Sequence, residues 1–183
     1  MAKYERAFSE FEILNSSIKF IDGESFEKLG CVGSISEELA VRVVTKKCEG
    51  ITTKTVVRGS TEGSATLSLH MRYDLFAQAF GMENENIKDG VYAYGKNSIH
   101  QEFCFVAEVY DEEGNKKLIA YPKCVMSSAP KSNITNGSEE VTEVEIQVSL
   151  MADELGNVKY ESMDDSLASQ WMTNFSNTVI TRG

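Results

Sequence analysis

From Val144 to Leu150 apolar and polar residues alternate without a break: Val144, Ile146, Val148 and Leu150 against Glu145, Gln147 and Ser149, with Glu143 ahead of them. A period of two is the spacing of a strand with one face on a core and the other in water, because successive side chains of a pleated chain point to opposite sides. The signature recurs at Ala65, Leu67, Leu69 and Met71, set against Ser64, Thr66, Ser68 and His70. It is present again at Leu39, Val41 and Val43 against Ala40, Arg42 and Val44, and at Phe103, Phe105, Ala107 and Val109. One-sided strands must close over a shared interior, so the pattern predicts a mainly β, α+β chain built on a β-sandwich or barrel.

The remaining elements follow from turn and helix signals. Residues 13–20 predict a strand that ends at Asp22-Gly23. Residues 102–111 and 117–125 predict a hairpin turned at Glu112-Glu113-Gly114-Asn115. Residues 137–151 predict one long strand, which 153–157 turn into a short partner strand over 158–162. Tyr73, Phe76, Ala77 and Phe80 fall at helical spacing and Gly81 stands at the C-cap, which predicts a central packed helix. A C-terminal helix is predicted over 164–175, with acids in its first turn and Leu167, Trp171 and Phe175 at every fourth position. Residues 46–63 break the pattern, being rich in Gly, Ser and Thr with few bulky groups, and predict a long inter-strand arm that becomes ordered on a partner. The 183 residues suit one domain, 1–183, with an N-terminal arm over 1–12, the long arm over 46–63, and a C-terminal helix and tail over 163–183.

Charge excludes one class of function. Twenty-eight acids against 18 bases give a net charge of −10. Such a chain repels a polyanionic backbone, so it is not expected to hold nucleic acid without regard to sequence. A surface that lets DNA slide past is a different matter, since neutral and acidic groups suit it better than lysines. The first residues, Met1-Ala2-Lys3-Tyr4-Glu5-Arg6, show no apolar run of a secretion signal, and no stretch approaches the ~20 apolar residues of a membrane span. No membrane partner is expected. Cys31, Cys48, Cys104 and Cys124 show no paired spacing and are expected to be reduced, buried small hydrophobes.

No catalytic site, cofactor site or metal site is predicted, and the chain is not expected to be an enzyme. His70 and His100 lie far apart, and His100 with Cys104 lacks the second ligand pair of a structural zinc site. The acidic runs at 111–115 and 153–157 lack the spaced ligands of a calcium loop and predict hairpin turns. Gly59-Ser60-Thr61-Glu62-Gly63-Ser64 has the glycines of a phosphate loop but no lysine, and an acid where phosphate would sit. No nucleophile elbow is present. Glu143 and Glu145 share a strand face and read as a solvated face in preference to a catalytic carboxylate pair. Tyr92, Tyr94, Phe103 and Phe105 read as core in preference to a base-stacking platform.

Several segments, taken together, resemble the major tail proteins of long, non-contractile-tailed bacteriophages (siphophages). They are Gly50-Ile51-Thr52-Thr53-Lys54-Thr55 leading to 65–71, the helix ending Phe80-Gly81-Met82, and Lys88-Asp89-Gly90-Val91-Tyr92-Ala93-Tyr94-Gly95 leading to Gln101-Glu102-Phe103-Cys104. Ala120-Tyr121-Pro122-Lys123-Cys124-Val125 and Trp171-Met172-Thr173 complete the set. The resemblance implies a tail tube subunit: a β-sandwich with a flanking helix, six copies to a ring, and rings stacked around a tape-measure protein into a tube that passes DNA to the host. It further implies tail-tip and tail-terminator partners and a place in the virion, after assembly in the bacterial cytoplasm. In that setting the arm supplies subunit or ring contacts through Lys46, Lys47, Ile51, Thr53, Lys54, Val56, Arg58 and Thr61. The polar strand faces, Ser64, Thr66, Ser68 and His70 on one and Glu143, Glu145 and Gln147 on another, would face the channel lumen. The alternatives are a tube or baseplate component of a contractile tail or injection device, and a β-sandwich that closes the arm over a small ligand.

Overall fold

A computed structural model of the chain describes residues 4–83 and 86–181. It is mostly antiparallel β-sheet with short helices. In chain order the elements are β1 (Glu12–Phe20), β2 (Glu27–Lys28), β3 (Gly30–Cys48), β4 (Ile51–Met71), α1 (Tyr73–Ala79), β5 (Phe103–Tyr110), β6 (Lys116–Met126), β7 (Val144–Met151) and β8 (Tyr160–Ser162). A 3₁₀ turn (Asp165–Leu167), α2 (Ala168–Asn174) and α3 (Asn177–Ile180) follow.

The sheet runs β2-β1-β5-β6-β7-β4-β3, with β8 beside β6 and every pair antiparallel. Its two ends are one piece of chain. β2 continues through Leu29 into β3, and the Leu29 N–H donates to the Ser16 carbonyl at 3.0 Å. The sheet must therefore roll up into a barrel whose staves are β1, β5, β6, β7, β4 and the joined β2–β3 stave. An even number of staves lets every neighbour pair stay antiparallel as the ring closes.

Inside lie the residues that the alternation selects. Leu67 pairs with Ile35 on one side and Ile146 on the other, and Ala65 faces Val148. Leu67, Leu69, Ile146, Val148 and Leu150 are all 5% exposed or less, in one cluster with Phe20, Phe103, Phe105, Tyr121 and Cys124. α1 adds Leu75, Ala79 and Phe80 to that cluster. It ends as its sequence requires: Gly81, at φ 60°, lets the Met82 N–H reach the Ala77 carbonyl and its own N–H reach Gln78.

β5 and the first half of β6 are buried on both faces. Their outer side chains Val106, Leu118 and Ala120 form a second cluster with Trp171 of α2 and Phe175. This explains the unbroken apolar run at the start of β5, which a one-sided strand would not need. The C-terminal segment is pinned there by charge as well. Buried Glu108 accepts from Asn15 at 2.6 Å and Tyr110 at 3.0 Å and pairs with Lys116, which reaches Asp165 at 2.9 Å. Asn15 takes a left-handed conformation (φ 52°) at the bulge of β1.

Two turns share one chemistry written twice in the sequence, Asp-x-x-Gly-Asn. In each the aspartate carboxylate accepts from the backbone two and four residues on: Glu113 and Asn115 for Asp111, Leu155 and Asn157 for Asp153. The glycine in each sits at positive φ, 83° and 81°.

Several expectations need correction. Residues 46–63 are not a loop. They belong to β3 and β4, whose pairing continues from Gly30/Met71 to Cys48/Ile51 around a two-residue turn at Glu49-Gly50. Both turn residues have positive φ, 49° and 81°, as a hairpin turn matched to strand twist demands. The threonines and valines here favour extended chain. The strand expected over 137–151 starts at Val144 and not at 137. Its successor β8 pairs with β6 and not with β7, because β6 is long enough to serve β7 with its second half and β8 with its first. The C-terminal helix is shorter than 164–175, with a 3₁₀ turn before Ala168. Residues 4–11 of the N-terminal arm are not free of the barrel: Phe8 packs on the core and the Phe11 N–H bonds the Tyr110 carbonyl. Met1 to Lys3 and Arg182 to Gly183 fall outside the described residues. Cys31 and Cys48 are exposed, Cys104 is half-buried, and only Cys124 is the buried thiol expected of all four. Tyr92 and Tyr94 lie partly in solvent, so of that aromatic group Phe103 and Phe105 alone are core.

Candidate assembly surface

Three surface features stand out, and each follows from where the strands stop having neighbours. The first is a ribbon. β4 pairs with β7 only from Glu62 to Leu69. Past the Ala152 N–H, which donates to the Thr61 carbonyl at 3.0 Å, β3 and β4 pair only with each other among the described residues, and residues 39–62 form the two-stranded hairpin that leaves the barrel. Most of its aliphatic side chains lie largely in solvent: Val41, Val43, Val44, Ile51 and Val57 are 49–70% exposed. Directly opposed pairs set its two faces. Arg42/Arg58, Val44/Val56 and Lys46/Lys54 occupy one, and Val43/Val57 and Thr45/Thr55 the other. At its tip the Thr53 hydroxyl donates to the Lys46 carbonyl at 3.1 Å.

The ribbon is basic on an acidic molecule. Residues 39–62 hold Arg42, Lys46, Lys47, Lys54 and Arg58 against Glu49 and Glu62, or +3. With −10 for the whole chain, the rest carries −13. All eight residues expected to make subunit contacts, Lys46, Lys47, Ile51, Thr53, Lys54, Val56, Arg58 and Thr61, lie on this ribbon, and all but half-buried Val56 are exposed.

The second feature is a polar sheet face. The register puts Ser34, Ser68 and Glu145 in one row, Ser36, Thr66 and Gln147 in the next, and Glu38, Ser64 and Ser149 in a third. The structure thus brings the two polar strand faces of the sequence onto one continuous outer surface of β3, β4 and β7. Its Glu145 takes a salt bridge from Lys131 at 3.1 Å. His70 lies at the end of the same parity, paired with Cys31, and Glu143 precedes β7 with its carboxylate against Gly33.

The third feature is one that alternation did not reveal: a seam. β1 is joined to β2 and Leu29 at Ser16 to Ile18, while its first residues and residues 32–37 of β3 have no strand partner on their facing edges among the described residues. Between them opens a cavity of about 650 Å³. Ile35, Val109, Ile119 and Tyr121 reach it from the core, and Glu10, Phe11, Glu12 and Leu14 line its other side. Across it runs a chain of ion pairs. Glu37 bonds Lys159 and accepts from the Tyr121 hydroxyl at 2.5 Å. Lys159 reaches Glu161 at 2.7 Å, Glu161 reaches buried Lys117 at 3.3 Å, and Lys117 bonds Glu10 and lies over the Phe8 ring. Burial and the Glu37 carboxylate push the Tyr121 hydroxyl far above its ordinary value. Burial draws the Lys159 amine down, but its bonds to Glu161 and Glu37 outweigh that and hold it raised. Burial likewise pushes the Glu161 carboxyl up, and Lys159 and Lys117 more than reverse it. A distant-in-sequence chain of this kind has no local signal; only the pairing of β6 with β8 brings Lys117 and Glu161 together.

The His100 ring packs edge-on to Phe80, with Nδ1 2.7 Å from the Met126 carbonyl and Nε2 3.1 Å from the Tyr94 hydroxyl. Among the described residues no group of three His, Cys, Asp or Glu side chains is placed to hold a metal ion, and no helix is long and apolar enough to cross a membrane.

No family model and no curated protein matches the chain. Among solved structures it is similar to a chain of the anti-feeding prophage baseplate, at 10% identity over 88% of this chain and 97% of that one, with a TM-score of 0.46. It is similar also to a chain of the anti-feeding prophage tube-terminating cap, at 12% identity over 88% and 99%, with a TM-score of 0.38.

Proposed function

We propose that this chain is a structural subunit that assembles with copies of itself into the tube of a phage tail. The observation that carries the reading is the ribbon: residues 39–62 present aliphatic side chains and five cations to solvent, far from any core of their own. An isolated two-stranded hairpin is marginal in water. Exposed apolar surface of this kind marks a place where another protein sits. The segments that resemble siphophage major tail proteins support the same reading, and they include the ribbon tip, the barrel half of β4, the end of α1 and the start of β5. In its finer form, six subunits make a ring, rings stack around a tape-measure protein, and tail-tip and tail-terminator proteins bound the tube. The uncovered row of Ser, Thr, Gln and Glu on β3, β4 and β7 then faces the lumen. Small neutral and acidic groups there let DNA pass without holding it. A tube or baseplate component of a contractile tail or an injection device is the second form of the proposal. No catalytic step belongs to either.

Light scattering across a concentration series, followed by negative-stain electron microscopy, tests the proposal. Rings or tubes with a central hole are expected. A chain that stays monomeric at every concentration, and is unchanged in behaviour when the ribbon is removed, would sink it.

A further inference from the structure

We propose that the seam between β1 and β3 is the receptor for the ribbon of a second copy of this chain. The inference rests on the assembly reading above and names the surface that the ribbon binds.

Three properties of the two surfaces match. The first is backbone. Residues 12–15 of β1 and 32–37 of β3 each have one edge with no strand partner among the described residues, and the ribbon offers both of its own outer edges. Free edges are satisfied by adding strands. β1 and β3 run in opposite directions, so an even number of strands between them keeps every contact antiparallel, and a hairpin supplies two.

The second property is apolar surface. Phe11 is 75% exposed at the lip of the seam, with Leu14 beside it, and Ile35, Val109 and Ile119 form the floor. The ribbon brings Val43, Val57 and Ile51, equally uncovered. The third is charge. Glu10, Glu12 and Glu37 line the seam; Lys117 bonds Glu10 and Lys159 bonds Glu37, which leaves Glu12 exposed as the acid with no ion pair among the described residues, while the ribbon carries five cations and two acids. Opposite fields of this kind select the partner and speed its arrival.

The ribbon does not serve its own seam. β3 forms one wall of the seam up to Glu37 and runs on without a turn into the ribbon at Leu39. Donor and acceptor are therefore different patches on one chain, and their contact is head-to-tail. Such a contact propagates into a ring or a helical tube and does not stop at a dimer.

The test separates donor from acceptor. In one variant residues 41–61 are replaced by Asn-Gly, which removes the ribbon and keeps the seam. In the other, Phe11→Lys and Glu12→Lys reverse the seam's charge at two exposed positions and keep the ribbon. Thermal melts confirm that both fold. Each alone is expected to be monomeric, and an equimolar mixture is expected to give a 1:1 dimer by light scattering that grows no further. If the wild-type chain associates and the mixture does not, the ribbon binds elsewhere; the seam inference is overturned while the assembly reading stands. If the wild-type chain never associates, both fall. A second measurement uses native Cys48 at the ribbon tip. Glu12→Cys in a Cys31→Ser background should give, on oxidation, a ladder of disulfide-linked copies. An associating chain that shows no ladder also overturns the inference.

Discussion

The ribbon valines allow the assembly reading to be tested without disturbing the fold. Val43 and Val57 are directly opposed on one ribbon face and 55% and 59% exposed in the subunit. Fully burying an aliphatic side chain contributes roughly 1.5–3 kcal/mol, so covering the half still exposed contributes about 1 kcal/mol for each valine. In the double variant Val43→Thr/Val57→Thr that gain is lost at every contact. About 2 kcal/mol corresponds to a ~30-fold higher concentration for association, at 1.4 kcal/mol per tenfold. The isolated subunit should hardly notice, because both side chains are already in water and threonine suits a strand as well as valine does. Its melting temperature should move by no more than about 2 °C, less than 1 kcal/mol for a chain of this size. Sedimentation velocity over a concentration series measures the first quantity and calorimetry the second. A large fall in melting temperature would mean that the ribbon is packed within its own subunit. Association at the wild-type concentration would mean that this face meets no partner. Either result refutes the argument.

Three further outcomes follow from the interior. Ile146→Ala, at a site 2% exposed where Leu67 is its direct neighbour across the sheet, should cost about 2–5 kcal/mol in urea unfolding, and a loss under 1 kcal/mol would contradict the barrel core. In the native subunit at pH 8 a thiol reagent should find Cys31 and Cys48 quickly and the other two only after denaturation. Burial pushes the Cys104 thiol up to about 12 and Cys124 well above its ordinary value, so prompt reaction of all four would show the barrel wall to be open there. The ion-pair chain at the seam sets a pH window. The lowered carboxyl of Glu161 stabilises the fold above the ordinary value of about 4.3 and stops doing so as pH falls through its lowered one. The raised amine of Lys159 stabilises below about 10.4 and stops as pH rises through its raised value. Glu161 is partly exposed, so its share is no more than about 1 kcal/mol. Glu161→Gln should therefore lower the urea midpoint at pH 7, and the gap to the wild-type midpoint should narrow steadily as the pH is lowered below about 4. An equal gap at every pH would refute the linkage.

Local information alone determined a good deal of this protein. The alternation at 64–71 and 144–150 selected the inward residues of β4 and β7, because a strand with one wet face leaves a period of two in any sequence that buries the other. The helix ending at Gly81 was legible because its cap needs a residue that tolerates positive φ. The Asp-x-x-Gly-Asn turns were legible for the same reason, each completed by an aspartate that bonds its own backbone. The polar residues 64, 66, 68, 145 and 147 were legible as wet faces, and only the β4–β7 register made them one surface.

What tertiary structure decided is everything that depends on which strand finds which. Residues 46–63 carry Gly, Ser and Thr and no inward stripe, so they read as a loop. They are strand because β3 and β4 satisfy each other's backbone over their full length, so their pairing continues past the point where the core ends. The partner of β8 could not be read from its nearness to β7 in the chain, since the free first half of β6 was the edge that accepted it. Nor does any local pattern announce the seam. It exists because Leu29 ties β2 to β3 and zips the barrel shut at Ser16, leaving β1 and β3 to diverge beyond that point. Periodicity is a property of one strand and is written in its residues. Closure is a property of the whole ring of strands, and so are the edges it leaves unpaired.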